Sequence, residues 1–168
     1  VTVFTSATEH PSVIEARSDA KRIPVDANGV IDMAALEAML KTASDAGQKV
    51  LVSVMLANNE TGVIQPVAKV ALLAREYGAK THCDAVQALG RLPVDMGQLL
   101  VDMISISAHK IGGPKGIGAL VIAPGVMMEL RALVPRLIAP QPTVTKWTRS
   151  APCATVWKRF WQQKPPNF

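Results

Sequence analysis

Cysteine is scarce in this chain, aromatic residues are few, and the last 39 residues contain no acid at all. The two cysteines, Cys83 and Cys153, fit neither a metal-ligand spacing nor a disulfide framework. No apolar run reaches the roughly eighteen residues of a membrane span. The start lacks the charged-then-apolar pattern of an export signal, so a cytoplasmic protein is expected. Residues 1–129 hold 11 Lys/Arg against 13 Asp/Glu, whereas residues 130–168 hold seven Lys/Arg and no acid. The net charge of +5 therefore arises wholly in the tail, along with all three tryptophans and six of the twelve prolines. A nucleic-acid-binding module acting through that basic tail is the weaker alternative reading. The tail has no aromatic–basic repeat, and the remainder of the chain is slightly acidic.

What is present suits an α/β domain. The chain has 168 residues, 49% hydrophobic, with mean hydropathy +0.22, enough for one domain with a real core. Residues 1–125 alternate as βαβ units do. Strands are expected at 1–5, 23–25, 50–56, 80–84, 102–107 and 118–123. The run at 50–56 is continuously apolar, as in a strand buried on both faces. Helices are expected at 11–20, at 33–43 behind an Asp32 cap, and at 66–77 before Gly78.

Polar groups gather where four of these strands end, the place where open α/β sheets put their ligands. His10 follows the first strand in Thr8-Glu9-His10, and Asn58-Asn59-Glu60-Thr61-Gly62 follows the buried one. His82-Cys83-Asp84-Ala85-Val86-Gln87 closes the next, and Ser107-Ala108-His109-Lys110 the one after, before the turn Gly112-Gly113-Pro114. A lysine directly after a buried strand is partly desolvated and suits a nucleophilic amine. Pyridoxal phosphate (PLP) is held by such an amine as a Schiff base. Asp84 could then pair with the pyridine nitrogen, Gln87 could reach the phenolic oxygen, Asn59 could orient that oxygen or a substrate carboxylate, and His10 could stack on the ring. Ser107 and His109 could donate to the phosphate. Taken singly, each has a blander reading. Lys110 could be a surface lysine, Asp84 a helix cap, His10 a capping histidine and Asn59 a turn residue.

The segments Thr8-Glu9-His10-Pro11-Ser12-Val13, Met55 through Gly62, His82 through Gly90 and Ser105 through Leu120 together resemble the class-V aminotransferase superfamily of fold-type-I PLP enzymes. Within it they look like the NifS/IscS cysteine desulfurases. The resemblance runs over residues 1–138. It implies a partial PLP-binding large domain with a mixed, mostly parallel sheet flanked by helices. It also implies removal of sulfur from L-cysteine, giving alanine and an enzyme persulfide for Fe–S cluster assembly or thiolation. Lys110 would be the Schiff-base lysine and the proton shuttle at the substrate Cα, with His10 joining in proton transfer. Asp84, Gln87, Asn59, Ser107 and His109 would bind the cofactor. A homodimer and sulfur-acceptor proteins are the implied partners, and no metal is implied. Selenocysteine lyase shares these motifs and is the nearer alternative.

The resemblance stops near residue 139, and residues 139–168 are expected to be irregular. A reading-frame shift there is the expected cause, testable by translating the other frames of the coding DNA. Neither Cys83 nor Cys153 matches the family's persulfide cysteine, and the segments that precede and follow the matched region in the family are expected to have no counterpart here. Weak PLP binding and no desulfurase turnover by this chain alone are therefore expected.

Overall fold

The computed structural model describes residues 1–126 and 143–146. Among the described residues, seven strands form one sheet in the order β2-β1-β3-β4-β5-β6-β7, and every neighbouring pair is parallel except β5 and β6. The strands are β1 (Thr2–Ser6), β2 (Lys21–Ile23), β3 (Val50–Ser53), β4 (Lys80–Asp84), β5 (Met103–Ser107), β6 (Gly118–Ile122) and β7 (Thr143–Lys146). The expected mixed, mostly parallel sheet is what forms. The ten residues between β5 and β6 are too few for a parallel crossover, so β6 returns antiparallel. β7 lies in the stretch expected to be irregular, whose remaining residues, like Cys153, fall outside the described ones.

Helices α2 (Met33–Asp45) and α3 (Val67–Glu76) cover one face of the sheet. Asp32 starts α2 by accepting from the Ala34 and Ala35 amides at 2.9 and 3.0 Å. Leu36 and Leu40, one turn apart, then bury together with Val70, Ala71 and Ala74 of α3 against Phe4, Val52, Cys83 and Ile104. Each fully buried leucine contributes roughly 1.5–3 kcal/mol. Gln65 staples this layer from the edge, its Oε1 accepting from Ile31 N–H and its Nε2 donating to Gly29 O.

Several elements differ from expectation. Helix α1 spans only Pro11–Ile14, not 11–20. It buries no residue, and without a packed face a single turn does not propagate. The strand expected at 50–56 ends at Ser53 by ladder pairing, opposite Thr5 of β1 and His82 of β4. Residues 54–56 stay extended and buried through Val54 N–H to His82 O and Leu56 N–H to Asp84 O. β2 forms at Lys21–Ile23 instead of 23–25, Val25 being bridged to Ile31 around the 26–29 turn. A short helix not expected from the sequence, α4 (Met96–Leu99), starts on an Asp95 cap whose side chain accepts from Gly97 and Gln98 N–H. No helix among the described residues is long and apolar enough to cross a membrane.

Candidate active site

The C-terminal ends of β1, β3, β4 and β5 lie side by side and open on a cleft of about 270 Å3. His10, Asn59, Asp84, Gln87, Ser107, His109 and Lys110, every site residue expected from the sequence, line it. Ser12, Met55 and Val86 complete the lining. The chain contributes these groups from positions 10 to 110, so only the parallel topology brings them together.

After β1, His10 sits at the N-cap of α1 with Nδ1 accepting from Ser12 N–H at 3.2 Å and 2.7 Å from Ser12 Oγ. Acceptance at Nδ1 places the proton of a neutral ring on Nε2. The blander capping role and the cleft role thus belong to the same histidine. After β3, Asn58 organises the loop that carries Asn59. Its Oδ1 accepts from Glu60 and Thr61 N–H, both at 2.8 Å. Its Nδ2 donates to Thr8 O, also at 2.8 Å, tying this loop to the one bearing His10. Asn58 was not singled out from the sequence. The signal available was its place at the head of an Asx-type turn.

Asp84 ends β4 and is 8% exposed. Its Oδ1 accepts from Val86 N–H at 2.8 Å, and Oδ2 makes no hydrogen bond among the described residues. Desolvation by burial raises its pKa, while the Val86 amide and the nearby His10 pull it back. The chain turns once after Asp84, through Ala88 and Leu89 N–H to Ala85 O, which brings Gln87 round to the same cleft. Gln87 O accepts from Arg91 Nη1 at 3.0 Å.

After β5, Ala108–Ile111 form one 3-10 turn bearing His109 and a half-buried Lys110. Ser107 Oγ lies 2.7 Å from His109 Nδ1. Glycine is required where the turn ends. Gly112 has φ 82°, and a Cβ on Gly113 would stand 2.8 Å from the Ala108 Cβ.

β4 sorts its side chains by face. Cys83 points into the helix-covered core at 0% exposure, away from the face that carries His82 and Asp84. Burial pushes its thiol far above the ordinary range, and it does not line the cleft. On the opposite face, His82 bridges three strands, with Ser53 Oγ 2.8 Å from Nδ1 and Ser105 Oγ 2.7 Å from Nε2. Desolvation lowers its pKa to about 4, so the ring is neutral. A larger hollow of about 610 Å3 lies at the other ends of β4 and β5. Its cations are already engaged there, Arg75 with Leu100 O and Lys80 with Asp102 at 3.0 Å each. No cluster of His, Cys, Asp and Glu able to hold a metal ion occurs among the described residues.

Residues 2–135 match the aminotransferase class-V family. The chain belongs to that family. Its members are PLP-dependent. This class-V chain is 45% identical over 130 residues to a cysteine desulfurase of Klebsiella pneumoniae, covering 73% of this chain and 32% of that protein. It therefore spans about a third of the curated relatives it matches. In structure it resembles a NifS-like protein from Rickettsia africae, with TM-score 0.61, 40% identity, and coverage of 66% of this chain and 31% of that one. SspA, solved in complex with cysteine, gives TM-score 0.58 and 30% identity over 71% of this chain and 35% of that one.

Proposed function

We propose that the chain is the cofactor-holding portion of a PLP-dependent cysteine desulfurase. The observation that carries this reading is the cleft itself, where four strand ends supply an amine, a buried carboxylate with one free oxygen, an amide, a histidine ring and a Ser–His pair. That donor set suits a flat heteroaromatic ring bearing an aldehyde, a phenolic oxygen and a phosphate. Bound there, PLP supplies an electron sink that acidifies the substrate Cα–H.

In this reading Lys110 Nζ is the covalent anchor and afterwards the group that moves the proton at Cα. Asp84 Oδ2 accepts the pyridine N–H, a charge-assisted bond strengthened by the buried setting. Gln87 and Asn59 donate amide hydrogens to the phenolic side, and Ser107 with His109 holds the phosphate. His10 stacks on the ring, with its Nε2 proton available. L-cysteine as substrate is supported by the identity to cysteine desulfurases and by the solved cysteine complex of a relative. A sulfur-carrying thiol is not offered by Cys83, which faces the core. A homodimer, delivery of sulfur to acceptor proteins for Fe–S clusters, and a cytoplasmic setting complete the proposal.

The test is incubation with PLP, borohydride reduction and peptide mass spectrometry. A pyridoxyl adduct confined to Lys110 and lost in Lys110→Ala is expected. Labelling scattered over many lysines, or no labelling, refutes the cofactor site.

A further inference from the structure

The mechanism above leaves unused the most isolated charged side chain in the described structure. Glu9 stands immediately before His10, 5% exposed, and neither Oε1 nor Oε2 has a hydrogen-bond partner. Its position is over-determined. Its own N–H donates to Ser6 O at 3.3 Å, and the Asn58 bond to Thr8 O pins the preceding residue against the end of β3. The backbone amides of Met55 and His10 lie close enough to its carboxyl to favour the charged form, but outside hydrogen-bond geometry. Its charged neighbours are Asp84 on β4 and Arg22 on β2, and the buried Cys83 thiol of β4, held neutral, also feels its charge. Arg22 is directed to Thr5 Oγ1 and Ile14 O instead. An ionised carboxylate buried without partners is strongly disfavoured, and two such anions side by side more so. Asp84 keeps a well-formed amide hydrogen bond at 2.8 Å and a wall on the cleft, whereas Glu9 has no amide in hydrogen-bond geometry and does not line the cleft. The proton of the pair therefore belongs on Glu9.

We propose that Glu9 is a positioning residue for the cofactor: it holds the proton of the Glu9–Asp84 pair, which leaves Asp84 the single carboxylate facing the ring nitrogen. The proposal rests on the PLP reading for its purpose, but not for its geometry. Burial first, and the charge of Asp84 second, raise the Glu9 pKa to about 8. Arg22 and the two backbone amides oppose this. Above that pH a second negative charge appears beside that of Asp84 and favours a protonated ring nitrogen.

The whole chain, labelled with carboxyl-13C glutamate and free of cofactor, tests the geometry. One glutamate resonance should titrate near pH 8, disappear in Glu9→Gln, and move to lower pH in Asp84→Asn. A Glu9 resonance titrating with the ordinary glutamates, or indifferent to Asp84→Asn, overturns the proposal. The PLP-bound chain tests the purpose. The cofactor absorbance should show an inflection near pH 8 that Glu9→Gln removes, whereas a merely structural carboxyl would change affinity equally at every pH. Persistence of the inflection in Glu9→Gln also overturns it. Failure to label Lys110 with normal Glu9 titration would sink the cofactor reading alone.

Discussion

His82 and Glu9 should pull the stability of this chain in opposite directions as pH changes, and the two pulls should cancel over a defined window. His82 is neutral in the folded chain down to about 4, against 6.5 for an exposed ring. Between those values the unfolded chain binds a proton that the folded one does not, so stability rises with pH. Glu9 is protonated in the folded chain up to about 8, against 4.5 in the open. Between those values the folded chain holds the extra proton, so stability falls with pH. Each slope is at most about 1.4 kcal/mol per pH unit. From pH 4.5 to 6.5 the two nearly cancel, and from 6.5 to 8 Glu9 acts alone. Glu9→Gln uncovers the histidine slope, gaining roughly 2–3 kcal/mol between pH 4.5 and 6.5 and staying flat above. His82→Gln does the reverse, with stability falling from pH 4.5 to 8. Asp84, also raised by burial, adds to the falling side in all three proteins. Urea titrations across this pH range supply the free energies. Parallel profiles for Glu9→Gln and the parent chain between pH 4.5 and 6.5 would refute the assignment of charge.

Asn58→Ala removes the bonds to Thr8 O and to the Glu60 and Thr61 amides, and should cost about 2–3 kcal/mol in urea unfolding. Gly113→Ala drives a Cβ to 2.8 Å from the Ala108 Cβ, and a loss of roughly 1–3 kcal/mol in the same assay is expected. Asp32→Ala leaves the Ala34 and Ala35 amides uncapped, and should lower stability by about 1 kcal/mol while leaving the Lys110 adduct in place. Cys83, at 0% exposure, should resist iodoacetamide in the folded chain and react once urea unfolds it, read peptide by peptide in the mass spectrometer. Rapid alkylation of native Cys83 would contradict the face assigned to it.

Local chemistry made a large part of this protein legible in its sequence. The Asp32 cap and the apolar spacing of Leu36 and Leu40 specify α2, and the apolar run beginning at Val50 specifies a buried strand. The polar clusters after the strands contribute seven polar residues to the ten residues that line the cleft, because a strand end is where backbone pairing stops and side chains become free to face a ligand. Tertiary structure decided what the pattern along the chain could not carry. The length of α1 depended on whether it had a face to bury, and the end of β3 on where its ladder with β1 and β4 stopped. The role of Asn58 emerged only when folding brought the Thr8 carbonyl to it from fifty positions away. Glu9 was one letter in a motif, and His82 one more polar group at a strand end. Their charge states come from what surrounds them. Burial and Asp84 keep a proton on Glu9, whereas the desolvation of His82 between β3 and β5 takes one off. Sequence spacing fixes which groups a strand end can offer, but desolvation is a property of the packed surroundings, and only the fold supplies those.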